Sequence, residues 1–480
     1  MSTFSDIYNK NVTIAEPLYT TKRFALITKD LQKYKKQMAI RPLRNKRWKI
    51  AAIVIVPAVF MLIGYRLIQE IFIIDPVLGV YGLIVGFMIF TSFFCSYVFY
   101  RDPALAKEKK KSQKKIHTVS VVIAVKNDPI IVSDTVNSCV YSSYENIEII
   151  IVNDGSNDDG QTENTINRLA TSFPRQVRSV HLSKNVGKRK AITVGIRAAA
   201  TGDILILLDS DTIVEHDAIS NLVTCLDNDD DLGAVVGYCR PLNVVNKLTK
   251  AQDTWYHGAF SISKAMEAAL GTVTCCSGTL SAYRMAAVYP ALDTWSHDRF
   301  LGTEFQPGDD RQLTAMIIGG TKHHINNDEK QWKTTYCESA ISISEIPTTF
   351  RKFINQQIRW KKSWVRVFCY TAPYFYKNRN PISSVYYYLQ MGISFVAPLI
   401  ALRNLIYIPL TTGTWESAAL YIGGLMLLSL LFGIDYKLYN PDSGNRWMWR
   451  IAITLLSINI LHWLLYYALL TLRKNSWLTR

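Results

Sequence analysis

The chain has little cysteine for its length, and what it has is scattered: Cys95, Cys139, Cys225, Cys239, Cys275, Cys276, Cys337 and Cys369. None shows zinc-ligand spacing, so free thiols are expected rather than a metal site or a disulfide-stapled secreted scaffold. The eight histidines show no metal-ligand spacing either, and His323-His324 reads as a surface pair. Nucleic-acid motifs, internal repeats and low-complexity segments are absent from the sequence. The first apolar run starts near Ile50 and lacks a cleavage pattern, so a cleaved secretory leader is not expected. Charged residues make up only 19% against 49% hydrophobic. Over 480 residues that mixture suits a large globular unit fused to a membrane region.

What is there is strongly basic, with a net charge of +16. Anionic lipid, nucleic acid and an anionic substrate are all possible partners for such an excess. Much of it sits beside apolar runs, at Arg41 to Lys49 and Lys107 to Lys115, the pattern that marks the inner side of a membrane. Membrane lipid is therefore the favoured partner, with no nucleic acid. Residues 1–47 read as a basic cytosolic tail, and 48–100 as two membrane helices, Ile50 to Leu67 and Leu78 to Tyr100, with Asp75-Pro76 at the turn. Three apolar stretches, Val385 to Leu410, Ala418 to Ile434 and Ile451 to Leu472, fill residues 381–472. Arg473, Lys474 and Arg480 place the terminal segment 473–480 on the inner side. Three crossings from an inner domain would end outside. One stretch, the first on this reading, then lies in the interface, or one hides an extra crossing.

Residues 101–346 read as an α/β domain. Val119 to Val125, Ile147 to Val152 and Ile204 to Leu208 are continuous apolar runs separated by polar or helical stretches, which predicts a parallel sheet buried on both faces. Ligands bind at the carboxyl ends of such strands, where Asp154 and Asp209 fall. Asp209 and Asp211 stand two apart, and two carboxylates with a diphosphate make an oxygen cage for Mg²⁺ or Mn²⁺. Gly308-Asp309-Asp310-Arg311 opens a helix; Asp there also suits helix capping, but Asp310 is read as a general base, with Asp309 as its support or the cap. Residues 347–380 carry an amphipathic interface pattern, with Phe350, Ile354, Ile358, Val365 and Phe368 interleaved with basic residues. On it, Gln356-Gln357-Ile358-Arg359-Trp360 places an arginine that suits a diphosphate and a tryptophan that suits a site wall, unless these face lipid. Gly187-Lys188-Arg189-Lys190 faces phosphate or is a solvated helix start. Cys275 lacks a histidine partner and is read as pocket wall rather than nucleophile.

Taken in this order, the motifs resemble those of processive family 2 glycosyltransferases, and within them class I hyaluronan synthases, over roughly residues 40–480. The carriers are Gly187-Lys188-Arg189, Cys275-x-Ser277-Gly278, Gly308-Asp309-Asp310-Arg311 and Gln356-Gln357-x-Arg359-Trp360. The resemblance implies a GT-A (Rossmann-like) fold in a cytosolic domain inserted between transmembrane helices of the plasma membrane. It also implies UDP-GlcNAc and UDP-glucuronate as donors, Mg²⁺ or Mn²⁺ as cofactor, and a nascent polysaccharide in a membrane channel. No obligatory protein partner is implied. By match, Ala124, Asp154, Lys188, Asp209, Gln356, Arg359 and Trp360 bind the nucleotide, Asp211 the metal, and Cys275, Ser277, Asp309 and Trp360 border the acceptor, with Asp310 the base. Trp477 and Arg480 match a gating motif in which Leu478 replaces glycine, and Thr279 replaces the proline of Cys-x-Ser-Gly-Pro. Further membrane helices usually follow that motif, which implies a longer parent chain. Chitin synthase, using UDP-GlcNAc alone, shares nearly every motif and is the alternative.

Overall fold

The computed structural model describes residues 73–106, 116–319, 331–377 and 379–474, with a few isolated earlier positions. The N-terminal tail, the first expected membrane helix, His323-His324, Trp477 and Arg480 lie outside the described residues. The chain enters through an apolar helix, α1 (Pro76–Leu105), long and apolar enough to cross a membrane. Its start is capped by Asp75, whose Oδ1 accepts the amides of Val77 and Leu78 at 3.1 Å each.

The catalytic unit is built on β1 (Val119–Val125), β2 (Ile147–Asn153), β3 (Val177–His181), β4 (Ile204–Leu207), β5 (Thr212–Val214), β6 (Leu232–Pro241), β7 (Ser281–Arg284), a short hairpin β8 (Arg299–Phe300) and β9 (Thr303–Glu304), and β10 (Lys333–Ser344). Eight of these form one sheet in the order β3-β2-β1-β4-β7-β6-β10-β5. The first half is parallel, as the apolar runs predict. The second half corrects that expectation: β7 runs antiparallel to both β4 and β6, and β5 antiparallel to β10. Alternation along β1 sends Val119, Val121 and Ile123 into one core and Val122 into the other, so both sheet faces are covered.

The helices that matter to the site are α2 (Lys188–Ala199), α3 (Lys247–His257), α4 (Asp309–Gly319) and α5 (Phe350–Thr371). The amphipathic stretch is thus one helix of 22 residues. Its buried face is not purely apolar. It includes Arg366, paired with the buried Asp298, and Lys362, which donates to the Lys474 carbonyl at 2.7 Å.

Three further helices are long and apolar enough to cross a membrane: α6 (Pro381–Thr412), α7 (Glu416–Tyr439) and α8 (Arg446–Leu470). Arg403 of α6 pairs with Asp75 at 2.5 Å, so α6 runs antiparallel to α1. At the other end of α7, Asp435 meets His257 of α3 at 2.8 Å, which brings α7 back to the catalytic unit. α8 touches that unit at both ends. Arg446 reaches Asp253 at 3.0 Å, and Lys474, just beyond its last turn, accepts from Lys362. Its apolar face packs on Ala251 and Phe353, then on Phe305 and Val365. α8 thus packs on this unit along much of its length, and α6 meets it at its start, where Tyr388 donates to the Ala372 carbonyl at 2.7 Å.

Candidate active site

A cavity of about 880 Å³ opens at the carboxyl ends of β1, β2 and β4, ample for a nucleotide sugar. Ala124, Asp154, Lys188 and Asp209 line one side, and Asp211, Asp309, Gln356 and Arg359 the rest. Residues far apart in sequence thus meet at one cavity. Asp310, Cys275, Ser277 and Trp360 are not part of that lining.

Asp154 ends β2 with both oxygens committed, accepting the amides of Val186 at 2.8 Å and Gly187 at 3.1 Å. It fixes the loop that opens α2. Gly155 must stay glycine there: its φ is +58°, and a Cβ would lie 2.3 Å from the Lys184 carbonyl carbon.

Lys188, the first residue of α2, reaches across to Asp209 at 2.5 Å and Asp309 at 2.7 Å. Burial alone would depress its ammonium; the two carboxylates outweigh that and raise it above the usual lysine range. One cation thus ties the end of β4 to the start of α4. Asp211 lies beside it, with Oδ1 accepting from Ser344 Oγ at 3.1 Å at the end of β10. Glu345 and Lys352 also line the cavity, and the sequence reading missed both. Glu345 is a carboxylate directly after a strand, the same signal that marks Asp209.

Asp310 points to the opposite side of the Lys188 bridge. It accepts the Gly278 amide at 3.2 Å and the Cys275 thiol at 3.9 Å through Oδ2, and the Arg311 amide at 2.7 Å through Oδ1. Burial, and then the adjacent Asp309 charge, raise its carboxyl above the ordinary range. Asp309 goes the other way: burial would raise it, but Lys188 and Arg189 hold it down. Two neighbouring carboxyls are driven apart, the pattern that separates a base from an ion-pair partner. Burial pushes the Cys275 thiol up to about 11, so it stays protonated and serves as wall and donor.

The Asp309–Asp310 pair predicts a pH effect. A base works deprotonated, so with Asp310 in that role its carboxyl would set the acid limb of the rate. Asp309→Asn removes one negative neighbour and releases Lys188, both of which favour ionised Asp310. The acid limb of kcat/KM for UDP release should therefore move to lower pH; an unmoved or upward-shifted limb contradicts the coupling.

The turn before α4 is held by Gly308, with φ +70°. A Cβ there would stand 1.7 Å from Ser363 Oγ of α5. Gly308→Ala should cost about 2–4 kcal/mol from left-handed backbone strain plus overpacking, read as a fall in unfolding temperature. Trp360 completes a three-ring cluster with Trp255, 6.0 Å away, and Tyr256, 6.3 Å away. Ser277 is half-buried, and among the described residues its buried hydroxyl oxygen has no hydrogen-bond partner.

Residues 120–289 match the sequence family Glycosyl transferase family 2. The chain is 26% identical over 410 residues to a hyaluronan synthase of Streptococcus pyogenes, covering 84% of this chain and 90% of that protein. It is 27% identical over 368 residues to an N-acetylglucosaminyltransferase of Azorhizobium caulinodans, covering 75% and 87%. A solved mannosyltransferase from Pyrobaculum calidifontis, in complex with GDP-Man and Mn²⁺, shares the fold with a TM-score of 0.51 at 18% identity, over 79% of this chain and 99% of that one. The mixed sheet with its strand-end cavity is thus a GT-A catalytic domain, set among four apolar helices. The chain thus carries a glycosyltransferase family 2 domain, is similar to hyaluronan synthases, and is a UDP-sugar hexosyltransferase.

Proposed function

We propose that this enzyme polymerises hyaluronan from UDP-GlcNAc and UDP-glucuronate and passes the chain across the plasma membrane, with its catalytic domain in the cytosol. The observation that carries the reading is the convergence of the site's carboxylates on one cavity. Lys188, Asp209 and Asp309 line a nucleotide-sized cavity, and Asp310, next in the chain to Asp309, accepts the Gly278 amide just outside that lining. The donor lies on one side with Arg359 and Gln356 toward its diphosphate. The acceptor comes from the other side, past Cys275 and over Trp360.

Asp310 takes the proton from the attacking acceptor hydroxyl. The new C–O bond forms at the anomeric carbon as the bond to UDP breaks on the opposite face, so one base suffices and the configuration inverts. The Asp211 carboxylate, on the cavity lining beside the Ser344 hydroxyl, is an oxygen ligand that suits a hard divalent cation, Mg²⁺ or Mn²⁺. Held there, such an ion would neutralise charge on the departing diphosphate. Chelation with EDTA should remove UDP release, and added Mn²⁺ or Mg²⁺ should restore it; full activity in EDTA contradicts the assignment.

The S. pyogenes relative's name supports the hyaluronan reading, and the A. caulinodans relative's name keeps polymerisation of GlcNAc alone as the second. Purified protein incubated with each donor alone and with both separates them. Polymer only with both donors, cut by hyaluronidase, supports hyaluronan. Hyaluronidase-resistant polymer from UDP-GlcNAc alone contradicts it.

A further inference from the structure

A second group of chemically able side chains is outside the nucleotide cavity and takes no part in the transfer described above. Asp102 stands close to the end of α1, Cys225 in the helix Ala218–Asn228, and Cys337 in β10. One atom of each, two sulfurs and a carboxylate oxygen, lies within 4.8 Å of the other two. All three residues are buried, the cysteines completely. The Cys337 thiol is 3.7 Å from Asp102 Oδ1. That is near the ~3.5 Å expected between a sulfur and an oxygen bound to one tetrahedral zinc, with bonds of ~2.3 and ~2.1 Å.

The carboxylate is held in place for such a role. Asp102 Oδ1 accepts the Ala104 amide at 3.0 Å, and Oδ2 accepts the Ser339 amide at 2.7 Å. Each carboxylate oxygen has two lone pairs, so these bonds fix its direction and leave it able to bind a metal. β10 bulges here, slipping its register against β6 between Cys337 and Ile341. Burial holds both thiols above their ordinary range, and the Asp102 charge raises them further. Neither lysine nor arginine is among the groups acting on the two thiols. A divalent cation reverses that balance: it takes the thiols as thiolates and offsets the buried carboxylate. Thiolates beside one oxygen ligand favour zinc over the hard cations that suit Asp211.

We infer that Asp102, Cys225 and Cys337 bind a zinc ion that ties the end of α1 to the catalytic unit. Binding releases the two thiol protons to solvent and changes no oxidation state. The ion is structural, and no step of glycosyl transfer passes through it. Spacing hides the site, because its three ligands come from distant parts of the chain.

The test is elemental analysis of full-length protein, expressed with zinc and purified in detergent under reducing conditions without chelator. About one zinc per chain is expected. Protein expressed with Co²⁺ instead should show thiolate-to-cobalt charge-transfer absorption in the near ultraviolet, which the oxygen ligands at Asp211 cannot produce. Cys225→Ser and Cys337→Ser should each lose zinc and that band, while Cys139→Ser, at a buried cysteine outside the group, should keep both. Metal-free wild-type protein overturns the inference whatever its activity. So does zinc with no thiolate band in the cobalt form, which would assign the ion to the carboxylates of the active site. Retention of the band in both Cys225→Ser and Cys337→Ser overturns it as well.

Discussion

Asp310→Asn is expected to lower chain elongation by ~10²–10⁴-fold, the range associated with loss of a positioned general base. The amide keeps the shape but has a single acceptor oxygen, so it can keep the Gly278 or the Arg311 amide and not both, and it cannot take a proton. Asp310 lies outside the cavity lining, so UDP binding should persist. Calorimetric titration with UDP, run beside a polymer assay, separates the two. Unaltered polymer yield would remove Asp310 from the mechanism, and loss of both activities would indicate a structural role.

Lys188→Met should be nearly as severe. Removing the ammonium leaves the like charges of Asp209 and Asp309 on the cavity lining without their shared counter-ion. Breaking a buried pair by deleting one partner costs about 3–5 kcal/mol, or ~10²–10³-fold if it falls on the active geometry. The effect should appear in donor KM as well as kcat, because the same side chain lines the nucleotide cavity and anchors α4. Lys188→Arg should recover part of the activity by keeping the charge. Wild-type kinetics in Lys188→Met would show that the bridge is decorative.

Much of this site was legible from the chain because strand-end carboxylates announce themselves. Asp154 and Asp209 each close a run of buried aliphatic residues, and a doubly covered sheet exposes only its ends to ligand. Arg359 and Gln356 were legible from their motif. The Lys188 bridge was not. Lys188 read equally as a phosphate binder or a solvated helix start, because its partners come from β4 and α4 and meet it only once the sheet forms. The antiparallel half was also hidden. Ser281–Arg284 is four residues long and has no alternating pattern to mark its direction.

The course of the last apolar helix was ambiguous for another reason. A helix that crosses a membrane and one that lies against a domain can be equally apolar. α8 is anchored by polar contacts at both ends, by Arg446 on Asp253 and by Lys474 under Lys362. Lys362 and Arg366 were read as basic residues of an interface face, yet their partners are Lys474 and Asp298. Periodicity says which face a residue occupies, not what meets it.

The account stands or falls on two donors serving one site. The most direct measurement supplies purified protein and Mn²⁺ or Mg²⁺ with UDP-GlcNAc and UDP-glucuronate carrying different isotopic labels, then counts both labels in the polymer. Equal incorporation, with no polymer when either donor is omitted, is the predicted result. Polymer carrying the GlcNAc label alone would contradict it.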